Sequence, residues 1–134
     1  MNALASQPAE ILVVDHDPYT LIGTAAVLDM AGYACHCARD GAAALKAAAR
    51  IALDLVICDV HLGEESGVEV CRQLRLAPGM QDVPVMFVSA TQLTDIVRRS
   101  HEAGAAYFLK KPLDPAVLVE LVGKALWLPQ QVRS

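Results

Sequence analysis

The stretch ILVVDHDP, residues Ile11–Pro18, decides the fold. Ile11 to Val14 is apolar without alternation, which is how a strand reads when both of its faces are covered, as in a parallel sheet. The run is too short for a helix, and its branched side chains favour extended backbone. Directly after it, Asp17 offers a side-chain oxygen to free amides and Pro18 brings a preset φ to the first helical position. A helix is therefore predicted to start almost where the strand stops, which is the opening of a β-α-β unit.

The same pattern repeats outward from this stretch. Further short apolar runs stand at Tyr33–Cys37, Leu55–Cys58, Val85–Val88 and Tyr107–Leu109. The stretches between them are roughly 15 to 25 residues long, room for one crossover helix each. The first helix should stop before Gly32, which supplies a left-handed residue. Ala42–Arg50 is Ala-rich with high helix propensity. Val68–Leu76 is closed by Pro78-Gly79, and Thr94–Ala103 by Gly104. Asp114-Pro115 repeats the cap-plus-proline start of a last helix that should end near Leu128, before Pro129. The reading is α/β, a (βα)5 domain over residues 9–128 with flexible tails at 1–8 and 129–134. Right-handed crossovers put helices on both faces of its parallel sheet.

Composition agrees. The chain has 134 residues, 54% of them hydrophobic, which suits one domain and excludes a disordered chain. The longest stretch without a charge, Val83 to Thr94, falls far short of the roughly 18 residues of a membrane span. The start MNALASQPAE lacks the basic and apolar regions of a secretion signal, so the expectation is a cytoplasmic protein whose Cys35, Cys37, Cys58 and Cys71 are reduced thiols. A net charge of −4 argues against direct nucleic-acid binding. Neither a GxGxxG nor a Walker pattern is present, which counts against nucleotide and flavin.

Open α/β sheets place their sites beyond the carboxyl ends of the strands. The residues found there are Asp15, His16 and Asp17, then Asp59 with His61 two positions on, then Ser89, then Lys110 and Lys111. Carboxylates gathered in one place repel unless a cation or a lysine sits among them, and an oxygen-lined pocket suits Mg²⁺. A carboxylate such as Asp59 can also attack phosphorus and give an aspartyl phosphate, a reaction that needs mainly positioning and charge neutralisation. The plainer alternative is that strand-end polar residues cap helices, which accounts for Asp17 and Asp114.

These residues resemble the receiver domain of two-component response regulators. The resemblance rests on ILVVDHDP (Ile11–Pro18), LVICDVHLGEESG (Leu55–Gly67), VPVMFVSA (Val83–Ala90) and GAAYFLKKPLD (Gly104–Asp114), in order, and covers Glu10 to Leu128. It implies a flavodoxin-like, CheY-like three-layer fold with sheet order 2-1-3-4-5. It implies that Asp59 is phosphorylated by a sensor histidine kinase or histidine phosphotransfer protein, and that Lys111, directly before Pro112, pairs with the phosphoryl group while Lys110 points elsewhere. Ser89 falls where receivers carry the hydroxyl that moves onto the phosphate, and Phe108 where they carry the switch aromatic. Asp15, Asp59 and the backbone carbonyl of His61 would hold Mg²⁺, or Mn²⁺ or another divalent ion. The domain would catalyse only its own phosphorylation and dephosphorylation, as a phosphorelay switch and not as an enzyme with a separate substrate.

One departure matters. Receivers present two adjacent acids after the first strand, and here the pair reads Asp15-His16. Asp17 can replace the missing ligand; or the site binds Mg²⁺ weakly; or His16, His61 and Asp59 favour a transition metal, which imidazole suits better. His16 also supports an alternative, a pseudo-receiver that binds a partner without phosphorylation. An aspartyl-phosphate phosphatase is the rival from the enzyme class, but it wants an acid where His61 stands.

Cys35 and Cys37 share one face of their strand and His36 takes the other, so the three cannot close on one ion, and the thiols read as core filler. Cys58 and Cys71 read as buried, and His101 as a surface residue. From Ala116 to Leu128 the only charges are Glu120 and Lys124, so the last helix is apolar nearly all round. Such a helix usually has a second partner. In receivers the face of the fourth helix, fifth strand and fifth helix docks dimers or targets, and self-association as a homodimer is expected there.

Overall fold

The computed structural model describes residues 7–90 and 105–133. In chain order its elements are β1 Glu10–Val14, α1 Pro18–Met30, β2 Ala34–Ala38, α2 Gly41–Arg50, β3 Leu55–Asp59, β4 His61–Leu62, β5 Glu65–Ser66, α3 Gly67–Leu74, β6 Val85–Ser89, β7 Ala105–Lys110 and a last helix, α4, Pro115–Arg133. Five strands form one sheet in the order β2-β1-β3-β6-β7, every neighbouring pair parallel. Counting only these long strands, that is the 2-1-3-4-5 order. The expected helix at 94–103, His101 within it, lies outside the described residues. Among the described residues no helix is long and apolar enough to cross a membrane.

The unalternating apolar runs are explained by two cores, one on each side of the sheet. Leu12, Val14, Val56, Cys58, Val85 and Phe87 point to the side covered by α2 and α3, whose Ala44, Ala48, Val70 and Leu74 complete that core. Ile11, Val13, Leu55, Ile57, Met86 and Val88 point to the other side, under Leu21 and Leu28 of α1 and Leu118, Val122 and Ala125 of α4. Successive residues of a strand alternate between faces, and here both faces are buried.

Local signals act largely as read. Asp17 caps α1, accepting from the Tyr19 amide, with Pro18 at the first position. Gly32 follows the helix with φ 98°, the left-handed geometry that ends it. Several boundaries move. α3 ends at Leu74, two residues short of the expected Leu76, which stands 83% exposed. β2 is shifted by one residue and is an edge of the sheet, and Cys35 there is half-buried and Cys37 exposed. The expectation of core filler therefore holds for Cys35, which packs against the core under α1 and α4, and is corrected for Cys37, which this edge strand leaves exposed. α4 runs through Pro129 to Arg133, so the tail assigned to 129–134 is helical as far as Arg133. A proline inside a helix removes one amide and disfavours the residue before it, but three turns already in place can carry it. The small β4-β5 hairpin between Asp59 and α3 has no counterpart in the sequence reading.

Candidate functional site

β1 and β3 are adjacent and parallel, so the residues that follow Val14 and Cys58 come out at the same edge of the sheet. Asp15 and Asp59 meet there, both buried, at 5% and 8% exposure. Lys111, just past β7, lays its Nζ between them, 2.8 Å from Asp15 Oδ2 and 2.5 Å from Asp59 Oδ2. The Lys111 amide donates to the Ser89 carbonyl at 2.8 Å, which pins the lysine's backbone to the end of β6. The second oxygen of each carboxylate takes a backbone amide: Asp15 Oδ1 accepts from Asp17 N at 2.9 Å and Asp59 Oδ1 from His61 N at 2.8 Å. Ser89 is fully buried at the end of β6, one residue past Val88, the register partner of Asp59.

Electrostatics follow from this arrangement. Burial pulls the Lys111 ammonium down, and the hydrogen bonds and charges of Asp15 and Asp59 more than offset it, so its pKa lies above the ordinary lysine range. Two carboxylates against one ammonium leave one negative charge uncompensated in a buried place. Asp17 has both oxygens engaged in the cap, one with the Tyr19 amide and one with the Thr20 hydroxyl at 2.7 Å. The Thr20 hydroxyl chiefly holds its carboxyl below the usual carboxylate range.

His16 is exposed, and its imidazole lies over Gly63 in the hairpin turn, where an added Cβ would meet the ring at 3.3 Å. Its carbonyl accepts from the Arg39 guanidinium at 3.3 Å and 3.4 Å. The His61 side chain is exposed, and Lys110 points to solvent. Phe108 is half-buried against the α2-α3 core. Among the described residues no three His, Cys, Asp or Glu side chains gather as a metal-ligand set, so His16, His61 and Asp59 do not form the transition-metal cluster considered from the sequence. Asp15 and Asp59 do fit Mg²⁺, which needs only one or two carboxylates and keeps several waters.

Two glycines that no local pattern marks hold the site together. A Cβ on Gly67 would stand 1.8 Å from the Asp59 carbonyl oxygen, so α3 starts against the backbone of β3 only because that residue has no side chain. Gly63 has φ 63°, which turns the hairpin toward His16. Cys58, buried as expected, donates to the Asp59 carbonyl at 3.3 Å; its hydrogen bond to Cys71 and its burial hold its thiol well above the ordinary range, so it is no nucleophile.

An open parallel sheet with two acids bridged by a lysine at its carboxyl edge defines an α/β domain of the CheY-like class. The chain belongs to the response regulator receiver domain family, whose profile matches residues 11–123. It is similar to the DNA-binding response regulator MtrA of Mycolicibacterium smegmatis, 37% identical over 112 residues, 84% of this chain and 48% of that protein. The sensory/regulatory protein RpfC of Xanthomonas campestris is 32% identical over 112 residues, 82% of this chain and 15% of that protein. The chain thus spans about half or less of the length of these curated relatives. The structure of a CheY-like receiver domain protein from Methanospirillum hungatei superposes with a TM-score of 0.87 at 22% identity, covering 93% of this chain and 98% of that one.

Proposed function

We propose that this receiver domain takes up a phosphoryl group on Asp59 from the phosphohistidine of a sensor histidine kinase or histidine phosphotransfer protein. The observation that carries the reading is the Lys111 ammonium held at 2.8 Å and 2.5 Å between two buried carboxylates. An Asp59 oxygen attacks phosphorus, the phosphorus–nitrogen bond of the donor breaks, and its electron pair stays on the leaving imidazole. Lys111 neutralises charge on the transferring group, and the Ser89 hydroxyl donates to an oxygen of the product. Asp15 and Asp59 with the His61 carbonyl would hold Mg²⁺, which supplies the remaining positive charge. With His16 directed onto Gly63 and Asp17 committed to the α1 cap, that ion is held weakly. Hydrolysis of the acyl phosphate resets the domain, which turns over no other substrate. The domain works in the cytoplasm, and Ser89 and Phe108 relay the change to the face of β7 and α4, where a second copy docks.

Incubation with acetyl phosphate and Mg²⁺ followed by intact-mass measurement tests this reading. One added phosphoryl group is expected, and none in Asp59→Asn. An unmodified wild-type chain under those conditions would instead favour the pseudo-receiver reading, in which His16 has cost the site its phosphorylation.

A further inference from the structure

The β4-β5 hairpin stands directly after Asp59, and it has only two residue pairs, His61 with Ser66 and Leu62 with Glu65. A ladder this short does not hold itself together in water. What fixes it is therefore a matter of contacts to the rest of the domain. Leu62 is buried in the α2-α3 core, and the Gly67 amide ties the far end to the Val60 carbonyl at 2.8 Å. A further tie is a hydrogen bond to a carboxylate. Glu65 Oε1 accepts from the Gly41 amide, the first residue of α2, at 3.0 Å. The positive end of the helix dipole favours a carboxylate there.

The fit depends on both partners. A Cβ on Gly41 would stand 2.7 Å from Glu65 Oε2 and 2.9 Å from Val70 Cγ2, so the carboxylate seats only because Gly41 has no side chain. Across the hairpin from this tie is the His61 amide, which donates to Asp59 Oδ1 at 2.8 Å. The orientation of that peptide depends on where the hairpin lies.

We propose that Glu65 is a positioning residue: clasped by the α2 amide, it sets the hairpin so that the His61 amide holds the Asp59 carboxylate in its reacting orientation. The inference rests on the phosphoacceptor reading of Asp59. Glu65 touches neither the carboxylate nor the transferring group, and acts through the His61 peptide alone. An amide oxygen in its place would still accept from Gly41, whereas a methyl group would not.

The test compares Glu65→Ala, Glu65→Gln and Gly41→Ala with wild type in two measurements. The first is hydrogen exchange of the His61 amide in metal-free protein, read by NMR. The second is the rate of phosphorylation by acetyl phosphate with Mg²⁺, separated into its maximal rate and half-saturation. Glu65→Ala and Gly41→Ala should each speed His61 exchange about fivefold and lower the maximal rate about fivefold with half-saturation little changed, as expected for a misplaced reacting group. Glu65→Gln should stay within about twofold of wild type in both, and the Glu65→Ala/Gly41→Ala pair should be no slower than either alone. Unchanged His61 exchange in Glu65→Ala overturns the proposal, whatever the rate does. Failure of the wild type to accept a phosphoryl group sinks the function assigned to Asp59 instead, while the exchange measurement still decides whether Glu65 holds the hairpin.

Discussion

At Gly67 a single methyl group would collide with the backbone that carries the reacting carboxylate, since its Cβ would lie 1.8 Å from the Asp59 carbonyl oxygen. Backbone cannot swing aside as a side chain can, so Gly67→Ala must displace the start of α3. Thermal unfolding should show a loss of about 3 kcal/mol, and unchanged stability would mean that α3 has room to retreat. His16 gives the second test at this scale. Its imidazole occupies the position of an acid without contributing an oxygen, so His16→Asp should tighten Mg²⁺ binding about tenfold by calorimetric titration. Equal affinities would show that the second acid is dispensable here. Asp15 and Asp59 were legible in the sequence because each follows directly on an apolar run, and parallel strands bring such residues to one edge, whereas Lys111 stands one residue beyond its run, after Lys110, and was singled out by the resemblance alone. Gly67 and Glu65 were not, because their partners, Asp59 and Gly41, are distant in the chain and nothing local marks the contact.

Elements differ in how completely their surroundings can be read from their own residues. β1, β3 and β6 announce themselves because both faces are buried, and both faces read apolar. β2 reads much the same from its composition, yet it is an edge strand, and position in a sheet is not encoded in five residues. The chemistry of its thiols follows from that partial cover. Burial, then the nearby charge of Asp29, push the Cys35 thiol up to about 12. An unfolded cysteine loses its proton near about 8.5, so between these values the unfolded chain binds fewer protons than the folded one, and stability falls as pH rises. Lys111 acts in the same direction, but its contribution is lost only above the unfolded lysine value near about 10.4. Urea midpoints measured from about pH 8.5 to 10 therefore isolate the thiols. They should decline in wild type and decline less in Cys35→Ala; parallel curves would mean that Cys35 ionises as freely folded as unfolded.

Across the whole molecule, the two sides of the sheet are closed to different degrees. α2 and α3 bury their apolar stripes on one side, while α4 presents Leu118, Val122 and Ala125 inward and leaves Val117 44% and Trp127 57% exposed. The arrangement of layers was legible from the five runs and their spacing, whereas the length of α4 was not, since Pro129 is a stop signal that the preceding turns override. A helix of this kind gains from a second apolar surface, and a half-exposed tryptophan is the residue type that most often anchors one. If the phosphorylated form docks to a second copy here, beryllofluoride with Mg²⁺ should raise the weight-average mass in sedimentation equilibrium toward that of a dimer at roughly 100 µM chain. Trp127→Ala should weaken that association at least about tenfold and leave phosphorylation of Asp59 as it was, because Trp127 lies on the helix and not at the carboxyl edge of the sheet. A mass that stays monomeric with and without beryllofluoride would mean that α4 keeps its apolar surface for a partner other than itself.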